Sequence, residues 1–144
     1  MKKAQNINFE LFFVKNVYIS YMKTTLTFSI ATIDVYDNYV VSIIKEGVTV
    51  TMESNKILED IAETYFPNKK FVYITHRINS YSVDPVNYTR TSKIENLAGF
   101  AVVSKNNVAL SNAEIEKTFL KKPFAVFDNL DDAKDWAQSI VTPE

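Results

Sequence analysis

Three short apolar runs constrain this chain more than any other feature: Phe71-Val72-Tyr73-Ile74, Phe100-Ala101-Val102-Val103 and Phe124-Ala125-Val126-Phe127. A continuous apolar run bounded by polar residues suits a strand buried on both faces, since both sides of the pleat are then apolar. The segments before, between and after these runs can form helices. From Met52 to Phe66, Ile57, Leu58, Ile61, Ala62 and Tyr65 make one stripe at helical spacing, with Thr51 as the expected cap and Pro67 as the stop. Asp84-Pro85 reads as a helix start. Ser111 and Glu114 have capping-box spacing, and Ile115, Phe119 and Leu120 give that helix an apolar face. Asn129 caps a last helix, with Ala133, Trp136, Ala137 and Ile140 on one side. Trp136 is therefore expected to be largely buried. Strands alternating with helices make a mostly parallel sheet joined by right-handed crossovers.

The opening differs. Leu26, Phe28 and Ile30 alternate with polar residues, and the apolar phase then shifts to Ile33 and Val35. The shift predicts a bulge or break near Ala31-Thr32. Asp37-Asn38 is a tight-turn pair, and Tyr39 to Ile44 returns as an antiparallel partner. Residues 1–22 read differently from the domain of residues 23–144. Met22-Lys23 resembles a second start, and the domain pattern is complete from Thr24. An extension before a later native start and an extra edge strand or arm both remain open, with little contribution to the core expected from residues 1–21.

The chain has 144 residues and one formal net negative charge, which suits a single core and gives no general pull toward nucleic acid or anionic lipid. The absence of cysteine removes disulfides, thiolate metal sites and cysteine nucleophiles, and fits the cytoplasm, the expected location. The N-terminal apolar run Leu11-Phe12-Phe13-Val14 is too short for a signal core or a membrane span. With Gly47 and Gly99 as the only glycines, glycine-rich phosphate loops are excluded. Lys121-Lys122 reads as a helix-end complement to the dipole, not as a nucleic-acid patch.

Gly99-Phe100-Ala101-Val102-Val103, then Phe124-Ala125-Val126-Phe127, then Leu130-Asp131-Asp132-Ala133-Lys134-Asp135-Trp136 resembles the tail of the STAS/SEC14 group of SpoIIAA-like proteins. The likeness covers about residues 24–141. It implies an α/β, SpoIIAA-like (STAS-like) sheet: an antiparallel opening hairpin followed by parallel strand–helix units. Phosphorylatable STAS domains carry a serine after an aspartate at the start of the helix following the third strand. Here that region reads Asn79-Ser80-Tyr81-Ser82-Val83-Asp84-Pro85 and lacks an Asp-Ser-Ser-Gly-like motif. Phosphorylation at Ser80 or Ser82 is therefore unsupported by the motif.

The densest chemical cluster is His76, Arg77, Asn79, Ser80, Tyr81, Ser82, Asp84 and Tyr88. It follows a buried strand, so it belongs at the carboxyl edge of the parallel sheet, where ligands bind in open α/β folds. Arg77 can hold an anion, and His76, the only histidine, can act as acid or base near neutral pH. The same residues also make an ordinary polar loop that satisfies its own backbone. Ser80, His76 and Asp84 spell a triad by composition, but they lie in one loop without a nucleophile elbow. No catalytic residue, metal or cofactor is assigned. The expected function is a non-catalytic binding or regulatory module with a protein or small-ligand partner, without nucleic acid or a membrane span, and with a homo-oligomer allowed. The alternatives are a carrier or sensor of a small anionic or amphipathic ligand, and an enzyme centred on His76.

Overall fold

The computed structural model describes residues 23–142. The N-terminal extension considered above lies outside the described residues. In chain order the elements are β1 (Thr24–Thr27), β2 (Ala31–Val35), β3 (Tyr39–Ile44), β4 (Thr49–Val50), α1 (Asn55–Tyr65), β5 (Phe71–His76), β6 (Ser82–Val83), α2 (Asn87–Thr91), β7 (Leu97–Val103), α3 (Asn107–Glu116), β8 (Phe124–Phe127) and α4 (Leu130–Val141). Six strands form one sheet in the order β1-β2-β3-β5-β7-β8. β1, β2 and β3 run antiparallel in succession, and β3, β5, β7 and β8 are parallel neighbours. This is the expected mixed sheet, an antiparallel opening followed by parallel strand–helix units.

The opening hairpin β2–β3 turns at Asp37-Asn38, where the Tyr36 N–H donates to the Tyr39 carbonyl at 2.9 Å. Of the two expected causes of the phase shift before it, the structure has the break and not the bulge. Phe28 N–H donates to the Ala31 carbonyl at 2.8 Å, so the chain reverses there and β1 becomes a separate edge strand.

The two sheet faces are covered unequally. On one face Val40, Phe71, Tyr73, Phe100 and Val102 pack with Leu58, Ile61 and Phe66, and with Tyr88 and Ala113. On the other, Val41, Val72, Ile74, Ala101 and Val103 meet α4 through Ala133 and Ala137. Period-two alternation divides each buried strand between these cores. Gly99 lets α4 lie close on β7: a Cβ there would come 2.5 Å from Ile140 Cδ1 and 2.9 Å from Trp136 Cη2. Trp136 is half-buried rather than enclosed, because among the described residues α4 is the only helix on this face.

Helix starts differ from the sequence reading. α1 begins at Asn55, and Ser54 Oγ accepts the Thr51 N–H at 3.2 Å within the preceding turn. α3 begins before the expected capping box, because the Asn106 side chain accepts the N–H groups of Val108 and Ala109 at 2.8 and 3.1 Å. Ser111 is therefore mid-helix. That register buries Ala113 and Glu116 and turns Ile115 and Phe119 outward. Lys122 lies beyond α3 and donates to the Ile94 carbonyl at 2.8 Å instead of closing that helix. β4 and β6, unanticipated, form a small separate parallel sheet beside the main one.

Candidate functional site

The cluster predicted from sequence divides across the sheet. In β5, Tyr73, Thr75 and then Arg77 continue the face that carries α1, α2 and α3, whereas Val72, Ile74 and then His76 continue the α4 face. His76 sits with Ser104, Lys105, Asn129 and Leu130 around a different opening. Burial, followed by the charge of Lys134, holds its pKa below the ordinary value, so it is neutral near pH 7. Asp84 lies elsewhere again, with its carboxylate accepting the Val86 N–H at 3.1 Å. The Ser80, His76 and Asp84 set is thus not assembled. The physical reason is strand alternation at His76, and the use of Asp84 in a turn.

Arg77 is the centre of what remains. Its phase on β5 drives the guanidinium under α3, where its side chain is 7% exposed and that of Glu116 is 10% exposed. Nη1 and Nη2 donate to the two carboxylate oxygens of Glu116 at 3.0 and 2.5 Å, a bidentate pair. The Tyr88 hydroxyl also donates to Glu116 Oε1, and Arg77 Nε donates to the Tyr81 hydroxyl at 2.9 Å. Thr75 Oγ1 lies 2.8 Å from the same Tyr81 oxygen. Burial is the largest influence on Arg77 and opposes its charge, but hydrogen bonding to Glu116 and the charges of Tyr81, Glu116 and Tyr88 together outweigh it and keep its pKa above the ordinary value. Burial first, and then the Glu116 charge, pushes the Tyr88 hydroxyl well up. Tyr81 is raised by burial despite Arg77, and Tyr73 is pushed up to about 12, chiefly by burial. Arg77, Glu116, Tyr81, Tyr88 and Thr75 thus form one network in which each side chain has a partner, while the nearby buried Ser42 Oγ and Asn87 Oδ1 have none among the described residues.

Above this network lies an open cleft of about 830 Å³. One wall is the segment from Ile78 to Pro85, and the other is α3 with Asn106, Val108, Asn112 and Ile115. The first wall is pinned from behind. Asn79 Nδ2 donates to the Ile44 carbonyl at 2.9 Å, the Ser80 N–H donates to Glu46 Oε1 at 2.9 Å, and the Gly47 N–H donates to the Ser80 carbonyl at 2.8 Å. Ile78, Val108 and Ile115 are 62%, 69% and 63% exposed, respectively. The structure brings Arg77, Asn79, Ser80, Tyr81 and Ser82 to this cleft, Tyr88 beneath it, and leaves His76 outside.

The sequence reading missed Glu116, Ile78, Val108 and Ile115. Arg77 carried a signal for Glu116, since it continues the Tyr73 face of a buried strand and needs a buried carboxylate. Val108 carried none, and Ile115 carried a misleading one, since it read with Phe119 and Leu120 as part of a core-facing stripe. Among the described residues, no group of three or more His, Asp or Glu side chains could hold a metal ion. No helix among them is long and apolar enough to cross a membrane.

No family model matches the sequence, and no curated protein matches it. A solved structure is similar to this chain. It is the crystal structure of an uncharacterized protein of the DUF3478 family with a SpoIIAA-like fold, from Shewanella loihica PV-4. The two chains share 13% identity with a TM-score of 0.48, over 81% of this chain and 92% of that one.

Proposed function

We propose that this chain is a non-catalytic binding module of STAS-like type whose recognition surface is the cleft between the Ile78–Pro85 segment and α3. The observation that carries the reading is the pairing of buried charge with exposed apolar walls. Arg77 and Glu116 neutralise each other on the floor, while Ile78, Val108 and Ile115 stand in solvent around it. Exposed apolar side chains converging on one concavity favour a partner that covers them. A network whose members already satisfy one another has no free nucleophile or base to offer a substrate.

The ligand-carrier alternative would be favoured by a closed apolar cavity; the space between the sheet and the helices beside Tyr73, Asn87 and Phe100 is about 60 Å³, well below the roughly 300 Å³ at which drug-sized pockets begin. The enzyme alternative needs His76 and Asp84 in one cleft, and they are apart.

The test is selection of peptide binders from a random display library on the folded chain. Their affinity is then compared for Ile115→Asp, Val108→Asp and the control Ser139→Asp on α4. Binders that lose at least tenfold on the first two variants and not on the control support the reading. Binders indifferent to Ile115 and Val108 place recognition elsewhere and refute it.

A further inference from the structure

Among the described residues β6 has one paired edge and one free edge. The Gly47 N–H donates to the Ser80 carbonyl, the Ser82 N–H to Val48 at 2.9 Å, and the Asp84 N–H to Val50 at 3.0 Å. Residues 80, 82 and 84 thus spend main-chain groups on the β4 side. Along a strand these groups alternate sides, so the N–H and C=O of Tyr81 and Val83 face the other way. β6 belongs to a two-stranded sheet, and no further strand pairs with it among the described residues. The cleft is lined by Ser80, Tyr81, Ser82 and Val83 but by neither residue of β4, so it lies along the free edge. Across it stands the Val108 and Ile115 wall of α3.

We infer that the partner binds this cleft as an extended peptide strand added to β6, bonded through the main-chain groups of Tyr81 and Val83 and placing alternate apolar side chains against Ile78, Val108 and Ile115. This rests on the cleft being the recognition surface, and it names the class of partner. Two donors and two acceptors on an unpaired edge match an extended backbone and leave a helix or a flat surface poorly satisfied. An edge-added strand sends side chains to both faces, and the α3 wall offers apolar contact to one set. Charge narrows the class further. Of the charged residues lining the cleft, Arg77 and Glu116 cancel, and Glu46 leaves one negative charge. The fitting segment therefore lacks acidic residues and tolerates a lysine or arginine at the Glu46 end.

The probe is a capped eight-residue peptide that alternates threonine with valine and ends in lysine. Two further versions carry N-methyl groups on all valine nitrogens or on all threonine nitrogens. Side chains are then unchanged, while one set of backbone donors is removed at a time. The inference expects the parent to bind, to shift the Tyr81 and Val83 amide resonances, and to weaken at least tenfold on Ile115→Asp, an exposed site that leaves the fold intact. It expects one methylated peptide to weaken at least tenfold and the other to bind like the parent. Equal binding of both methylated peptides, still sensitive to Ile115→Asp, overturns strand addition and leaves the cleft as the recognition surface. Parent binding insensitive to Ile115→Asp overturns both. No binding of the parent at about 1 mM overturns strand addition, and the display selection then judges the cleft separately.

Discussion

Glu116→Ala should be the most destabilising single change near the cleft. The substitution removes the acceptor of two Arg77 N–H groups and of the Tyr88 hydroxyl, and leaves the guanidinium enclosed with Tyr81 as its remaining hydrogen-bond partner. Breaking a buried pair by deleting one member costs about 3–5 kcal/mol, because the other charge stays desolvated. The stranded Tyr88 hydroxyl adds about 1 kcal/mol. A total of roughly 4–6 kcal/mol, at a urea slope near 2 kcal/mol per molar, lowers the unfolding midpoint by about 2–3 M. Urea titration followed by far-ultraviolet circular dichroism and by Trp136 fluorescence measures it, the latter from the opposite sheet face. Arg77→Met combined with Glu116→Leu should be markedly more stable than Glu116→Ala, since no unpaired charge remains. A Glu116→Ala cost below about 1 kcal/mol, the range of exposed pairs, would show that Arg77 is solvated and that the cleft floor is not the network described.

Four further outcomes are expected. Gly99→Ala should cost about 1–3 kcal/mol because its Cβ meets Ile140 Cδ1 and Trp136 Cη2, and less in an Ile140→Val background; equal costs in both backgrounds would contradict the close α4 seat. Trp136→Ala should cost about 2–3 kcal/mol, below the loss for an enclosed tryptophan, and native fluorescence should be partly quenched by iodide; full protection would contradict the half-buried indole. His76 has a folded pKa below its ordinary 6.5, so the unfolded chain binds the proton first and stability falls as pH drops from about 6.5 through the folded value. His76→Gln should flatten that slope in urea midpoints measured against pH, and an unchanged slope would refute it. Tyr73 is raised from 10.0 to about 12, so its contribution is complete below pH 10 and is lost as pH climbs through about 12. Tyrosinate absorbance should show a class that resists ionisation near pH 10 while the fold persists, and a single uniform titration would count against it.

The parallel half of the fold was legible because Phe71–Ile74 and Phe100–Val103 are local patterns in which a buried strand writes both of its faces into one run, and Phe124–Phe127, half-buried at the sheet edge, is apolar on both faces as well. The Asp37-Asn38 turn was legible for a similar reason. The Phe28–Ile30 turn was legible only as a break in the apolar phase, since Ser29 is its one turn-forming residue and the reversal is held by pairing with β2. β4 and β6, two residues each, gain their pairing from distant chain and leave no periodic trace. At the site, composition drew His76 and Arg77 together, whereas adjacent strand residues point to opposite faces. The capping-box spacing at Ser111 and Glu114 lost to Asn106, whose side chain accepts two N–H groups. The α3 register that follows exposes Ile115 and buries Glu116.

If recognition occurs in the cleft between the Ile78–Pro85 segment and α3, the amides along its walls respond to a bound partner. Amide chemical-shift mapping of the isotope-labelled chain with a display-selected peptide tests it most directly. Perturbations are expected to concentrate at Ile78 to Val83 and at Val108 to Glu116, with α1 and α4 quiet. Perturbations confined to α1, or to α4 and the opening beside His76, with the Ile78–Val83 amides silent, would contradict it.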